Sequence, residues 1–236
     1  MNFSHRFYRA AAICSILSAL TTLGLIFLPR MYQPVPDFEA RMALGTHPAY
    51  VLRSWIYLFH PFLVFTAALA VAARCRRAAA GAASLGLAGF SLWAATEAGQ
   101  QALTKVALDR TWRAAWPTAN EEARSAMREQ VALYDVVWDA MYLLLVLGFF
   151  AGNVLLALAV RRRRFAEGRG GALDIWVTAA FGAAAGLTLL LIVPELGGPT
   201  VPGTGWLYPL IQPAGRTLIG VWLWREAESE STTAST

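Results

Sequence analysis

WLYPLIQPAGRTLIGVWLW, residues Trp206–Trp224, is a hydrophobic stretch with an arginine near its middle. As a helix it is long enough to cross about 30 Å of hydrocarbon. Arg216 cannot shed its proton, and placing a guanidinium at mid-membrane costs from roughly 2.5 to about 10 kcal/mol or more. If this stretch is a span, something must neutralise Arg216, and that partner marks the polar centre of the protein.

Outward from that stretch, the rest of the chain supports the same setting. Hydrophobic residues make up 57% of the 236, and only 15% are charged, against roughly 25% in an ordinary soluble domain. Further runs at about 10–28, 54–73, 78–101, 134–160 and 174–193 are each long enough to span, with 206–224 as the sixth. The fold expected is an all-α, polytopic membrane bundle of six transmembrane helices over residues 1–225. An acidic, Ser/Thr-rich tail, 226–236, is expected to be disordered and cytoplasmic.

The net charge of +5 does not point to nucleic acid, because the basic residues gather at the ends of hydrophobic runs, as at Arg74–Arg77 and Arg161–Arg164. That placement is an orientation signal. With the N-terminus inside, eleven of the 20 Lys and Arg lie on the inner side and eight on the outer. Both termini are therefore read as cytoplasmic. The first run follows basic residues as a signal peptide does, but it lacks a small-x-small cleavage site and ends in Leu28-Pro29-Arg30, so it reads as an uncleaved helix. Cys14 within a span and Cys75 at a basic span end predict no structural disulfide.

Two outer segments read as helical. Asp37 after Pro36 is placed to cap a turn running to Gly45. Thr118 and Glu121 form a capping-box pattern, and the polar helix from Asn120 to Leu133 should run on into the fourth span with its charges on a solvated face. In the second and sixth spans, Trp55-Ile56-Tyr57 and Trp206-Leu207-Tyr208 stand shortly before Pro61 and Pro213. Each proline frees a carbonyl that must find another partner. Small residues at Ala78–Gly89 and Ala179–Gly186 predict close backbone approach.

Polar side chains recur at helical spacing on three spans. Glu97, Gln100, Gln101 and Thr104 share one face of span 3. Asp135, Asp139, Tyr142 and Asn153 share one of span 4. Tyr208, Gln212 and Arg216 share one of span 6. Such stripes turn away from lipid, toward one another or toward water. Helical side chains lean toward their own N-terminus, which brings Arg216 and a carboxylate of Asp139 or Glu97 together as an expected ion pair. Gln212 and His60 are its expected hydrogen-bonding neighbours, and Trp93 and Trp138 are expected to line or roof the pocket. His60 is the one histidine at membrane depth. With His47 in a loop and no Cys/His cluster, it reads as a core histidine, and no metal or other cofactor is expected.

Six spans, a short helix in the first outer loop, and a last helix ending in Trp222-Leu223-Trp224-Arg225 resemble an uncharacterised family of bacterial six-span integral membrane proteins, a domain of unknown function. The resemblance concerns topology over most of the chain. It implies a bacterial inner membrane and supplies neither an activity nor a site residue.

Three functional readings remain open. The first is a non-catalytic protein whose outward-facing pocket binds or passes a small amphipathic or anionic molecule, held by Arg216 and oriented by Gln212, Gln101 and Tyr142. The second is an intramembrane enzyme acting on a lipid or isoprenoid, with Asp139 or Glu97 as general acid/base. The third is a structural subunit whose polar stripes are consumed by packing, with a membrane-protein partner or a second copy of itself. The bilayer is the expected surrounding in all three.

Overall fold

A computed structural model of the protein describes residues 3–168, 171–195 and 204–233. Among these the structure is all-α. The helices are α1 (His5–Phe27), α2 (Phe38–Ala43), α3 (Pro48–Cys75), α4 (Ala80–Leu103), α5 (Glu121–Glu167), α6 (Ala172–Glu195) and α7 (Thr204–Thr233). The six long helices form a ring in chain order, each packing on the next, and α7 closes it against α1. Four helical stretches are long and apolar enough to cross a membrane by length and composition: His5–Met31, Pro48–Cys75, Glu121–Ala166 and Ala172–Leu190. Helices α4 and α7 are as long as a span but are not among these four, so four of the six expected spans meet both length and composition among the described residues.

Large apolar side chains, among them Ile13, Leu20, Phe59, Phe62, Leu85 and Val136, are exposed on the outer surface of the ring. Inside, an apolar core joins the long helices, and Ser15, Ser18, His60, Glu97, Gln100 and Arg216 are buried with it. Apolar side chains outside and buried charge inside suit a hydrocarbon surrounding.

Helices α4 and α5 make the closest approach. A Cβ placed on Gly89 would stand 2.7 Å from the Gly152 nitrogen and 2.9 Å from the Gly148 oxygen. In α6, by contrast, nothing lies within 4 Å of a Cβ placed on Gly182 or Gly186. The two glycines therefore do not serve the close approach expected of Ala179–Gly186, whereas Ala180 in the same segment lies against Gly215 of α7.

At one end of the ring a cap covers the middle. Asp37 caps α2 as expected, its Oδ1 accepting from the Ala40 amide at 2.7 Å. After α4 the chain continues as a π-helical stretch, Thr104–Arg113. A small cluster of Met42, Leu108, Trp116, Val131 and Tyr134 joins α2, this stretch and the start of α5. The expected Thr118–Glu121 capping box is replaced. Asn120 is the cap of α5, accepting from the Ala123 amide at 2.9 Å, while Thr118 turns back to the Ala115 carbonyl. The polar helix does run unbroken into the apolar part of α5. Its charges are not all a solvated face, because Arg124 and Arg128 each lie 5.3 Å from the Trp116 ring.

At the opposite end the expected disordered tail is overturned. Helix α7 continues to Thr233, and only 234–236 of that tail lie outside the described residues. Glu226 accepts from Arg163 Nη2 at 2.9 and 3.0 Å and also pairs with Arg74. Ala227 beside it is fully buried. Two cations and a packed neighbour hold the segment that composition alone assigned to disorder.

Candidate functional site

The ring encloses a cavity of about 870 Å³ that reaches from beneath the cap to Arg216. Its volume falls in the range of small-molecule sites. The lining on α5 runs from Tyr134 to Phe149, which is about 22 Å of helix rise. All six long helices contribute to the wall.

The α4 stripe forms one side as its spacing predicted, with Trp93, Glu97, Gln100, Gln101 and Thr104 all on the wall. Gln100 donates to the Trp138 carbonyl at 2.8 Å, and Thr104 meets the Tyr134 hydroxyl at 2.6 Å. These bonds tie α4 to α5 through the polar face and leave Glu97 and Gln101 turned to the cavity. Trp138 and Tyr142 supply stacked rings, 5.7 Å apart, on the α5 side. His60 lies on α3, its Nδ1 2.7 Å from the Thr21 hydroxyl of α1 and its ring edge-on to Trp93. Among the described residues no group of three or more His, Cys, Asp or Glu is placed to hold a metal ion.

Of the residues singled out above, Arg216, Glu97, Gln101, His60 and Tyr142 line this one cavity. Gln212 instead faces a second, smaller void of about 30 Å³, shared with Asn153 and Ser15. Arg216 and Phe149 line both spaces and so form the septum between them. Ser15 of α1 donates to the Arg216 carbonyl at 2.6 Å, an interhelical bond that ties α1 to α7.

Asp139 does not join the group. It is exposed and absent from the cavity wall, because successive residues turn about 100° round a helix and its neighbour Trp138 takes the inward position. Asp135, on the same expected stripe, is taken by Arg41 of α2, whose two terminal nitrogens bond its carboxylate at 2.8 and 2.5 Å. The expected ion pair at Arg216 is not formed either. Both line the cavity, Glu97 near enough for its charge to be felt at Arg216, yet no hydrogen bond or ion pair joins them, and among the described residues the Arg216 Nε has no hydrogen-bond partner. The side chain of Glu195 lies outside the described residues, as do Arg169 and the side chain of Trp206.

Sequence reading missed Arg53. It counted there only as an orientation charge, but its guanidinium lies on the cavity wall and bonds the hydroxyls of Tyr32 and Tyr57 at 3.1 and 3.3 Å. The signal was available. Tyr50, Arg53, Tyr57 and His60 are spaced i, i+3, i+7 and i+10, a fourth polar stripe. Arg113 was missed for a different reason, since the π-helical register that aims it inward has no sequence signature. It bonds Asp109 at 2.5 Å and the Arg41 carbonyl at 2.8 Å.

The Arg41–Asp135 bridge is partly exposed, so its coupling should be small. A double-mutant cycle with Arg41→Ala and Asp135→Ala, read by thermal unfolding, is expected to give about 0.5–1 kcal/mol. A coupling near zero means that α2 is held by Arg113 and the Trp116 cluster alone.

Comparison with protein-family models, curated proteins and solved structures finds no match.

Proposed function

We propose that this chain is a six-span protein of a bacterial inner membrane, with both termini cytoplasmic, whose cavity opens beneath the cap to the outer face. It binds or passes a small amphipathic or anionic molecule. One observation carries the reading: Arg216, only 9% exposed, stands on the wall of a large cavity with its Nε unpartnered among the described residues. A buried cation without a fixed counter-ion is strongly unfavourable, and an anion entering the cavity relieves it. Gln101 and Tyr142 are placed to orient such a ligand, and Gln212 shares the smaller void with Arg216. The basic clusters Arg74–Arg77 and Arg161–Arg164 support the orientation.

Octyl phosphate titrated into the purified protein in nonionic detergent, followed by calorimetry, tests this reading. Arg216→Ala is expected to weaken binding at least about ten-fold, the value of one lost charge-assisted hydrogen bond. An isotherm unchanged in a variant that still folds counts against the proposal.

One observation favours a second reading, an intramembrane enzyme acting on a lipid or isoprenoid. Glu97 is 6% exposed on the same wall, where a carboxylate serves as general acid or base. Asp139, outside the cavity, drops from that role. Glu97→Gln is then expected to abolish turnover while leaving binding intact. A purely structural subunit is less favoured, because the polar stripes border open space.

A further inference from the structure

The cavity wall carries four arginines, Arg41, Arg53, Arg113 and Arg216, and three of them are already engaged. Arg41 is bound by Asp135. Arg113 is bound by Asp109 and the Arg41 carbonyl. Arg53 is occupied by two tyrosine hydroxyls and the Leu25 carbonyl. Arg216 alone keeps a buried N–H without an acceptor.

The two carboxylates among the described wall residues divide in the same way. Asp37 accepts from the Ala40 amide as the cap of α2. Glu97, 6% exposed, makes no hydrogen bond or ion pair to the described residues. Arg216 and Glu97 feel each other's charge without touching, and Tyr208 lies within electrostatic reach of both.

A carboxylate and a guanidinium that share a cavity but do not pair leave a gap with one positive and one negative side. A simple anion satisfies Arg216 and sets a like charge near Glu97. A simple cation does the converse. A molecule carrying both charges satisfies both groups, as burial of charge in a low dielectric requires. The aromatic residues around them, Tyr57, Trp93, Tyr142 and Tyr208, offer ring faces to an ammonium and an apolar surface to the rest of the molecule.

We propose that the cavity selects an amphipathic zwitterion, with its anionic group on Arg216, its ammonium on Glu97 and its apolar body along the aromatic wall. The inference rests on the anion-binding reading above and adds the cation to it. Two sources share this chemistry, a free apolar amino acid and the phosphoethanolamine headgroup of a single-chain lipid.

Two ligand pairs, each differing only by the ammonium, separate the sources. L-phenylalanine is set against 3-phenylpropanoate, and lysophosphatidylethanolamine against lysophosphatidylethanol of the same acyl chain. Each is titrated calorimetrically into the full chain in nonionic detergent. In one pair the ammonium-bearing member is expected to bind about ten-fold tighter, the gain of one charge-assisted contact, and that pair names the source. Glu97→Gln should erase the ratio and leave the amine-free member unchanged, while Arg216→Gln weakens both members. If Glu97→Gln does not fold, Glu97→Asp keeps the charge, shortens its reach and should weaken the ammonium-bearing member alone.

Equal or tighter binding by the amine-free members overturns the inference. So does a ratio that survives Glu97→Gln, or no binding by any of the four. Anion binding that depends on Arg216 but ignores the ammonium leaves the broader reading standing. Binding indifferent to Arg216→Gln removes that reading as well.

Discussion

Gly89→Ala is expected to destabilise the protein by on the order of 3 kcal/mol, the upper part of the usual range for overpacking. The added methyl would meet the Gly152 nitrogen at 2.7 Å and the Gly148 oxygen and Gly152 Cα at 2.9 Å. All three are backbone atoms, so no side chain can swing aside and the helices themselves must part. Alanine is otherwise the better helix former by roughly 1 kcal/mol, and the steric cost has to exceed that gain. Gly182→Ala in α6 is the matched control. Nothing lies within 4 Å of its added methyl, so only the propensity gain remains, and stability should hold or rise. Thermal unfolding in detergent therefore gives opposite signs for two chemically identical changes. Equal melting temperatures for Gly89→Ala and the parent would show that α4 and α5 do not approach this closely. The consequence reaches the cavity, because Trp93 and Glu97 follow Gly89 on α4 by one and two turns.

Glu226→Ala is the second large loss expected, about 2–4 kcal/mol, as when one partner of a largely buried ion pair is removed. The Glu226 side chain is 16% exposed and that of Arg163 only 9%. Arg163 also lies 5.2 Å from the Trp222 ring, in the packed end of the ring that holds Trp222, Leu223 and Ala227. Losing this carboxylate removes the link from α7 to α3 and α5 together. Glu121→Ala provides the contrast, since its bond to Arg128 is 73% exposed on the Glu121 side, and solvent screens such a pair to little or no effect on stability. Melting temperature and protease cleavage within 226–233 read both variants. Similar small effects would mean that the Glu226 clamp is solvated and that the end of α7 frays.

Much of the fold was legible in the residues. Long apolar runs marked the six long helices, and the Asp37 cap and the continuous polar-to-apolar α5 follow local rules that need no partner. The polar face of α4 was equally plain, because four polar side chains at i, i+3, i+4 and i+7 have one side of the helix to share. The tail was misread for a physical reason. Its composition describes exposure to water, while Glu226 is held by Arg74 and Arg163, which are remote in the chain. The capping box failed on competition, as Asn120 stood nearer the first free amide of α5 than Thr118 did.

The sequence by itself determined which side chains are costly to bury unpartnered, since the cost of burying Arg216, Glu97 or Gln212 belongs to each group separately. Only the tertiary structure decided which of them meet. The ring turned Trp138 inward and so left Asp139 about 100° away. It gave Asp135 to Arg41, and it set Gln212 on the far side of the Arg216 septum. Partnership depends on the rotation and depth of whole helices, which are settled by contacts such as Gly89 on Gly152. Those contacts left Arg216 and Glu97 on the wall of one cavity without a bond between them.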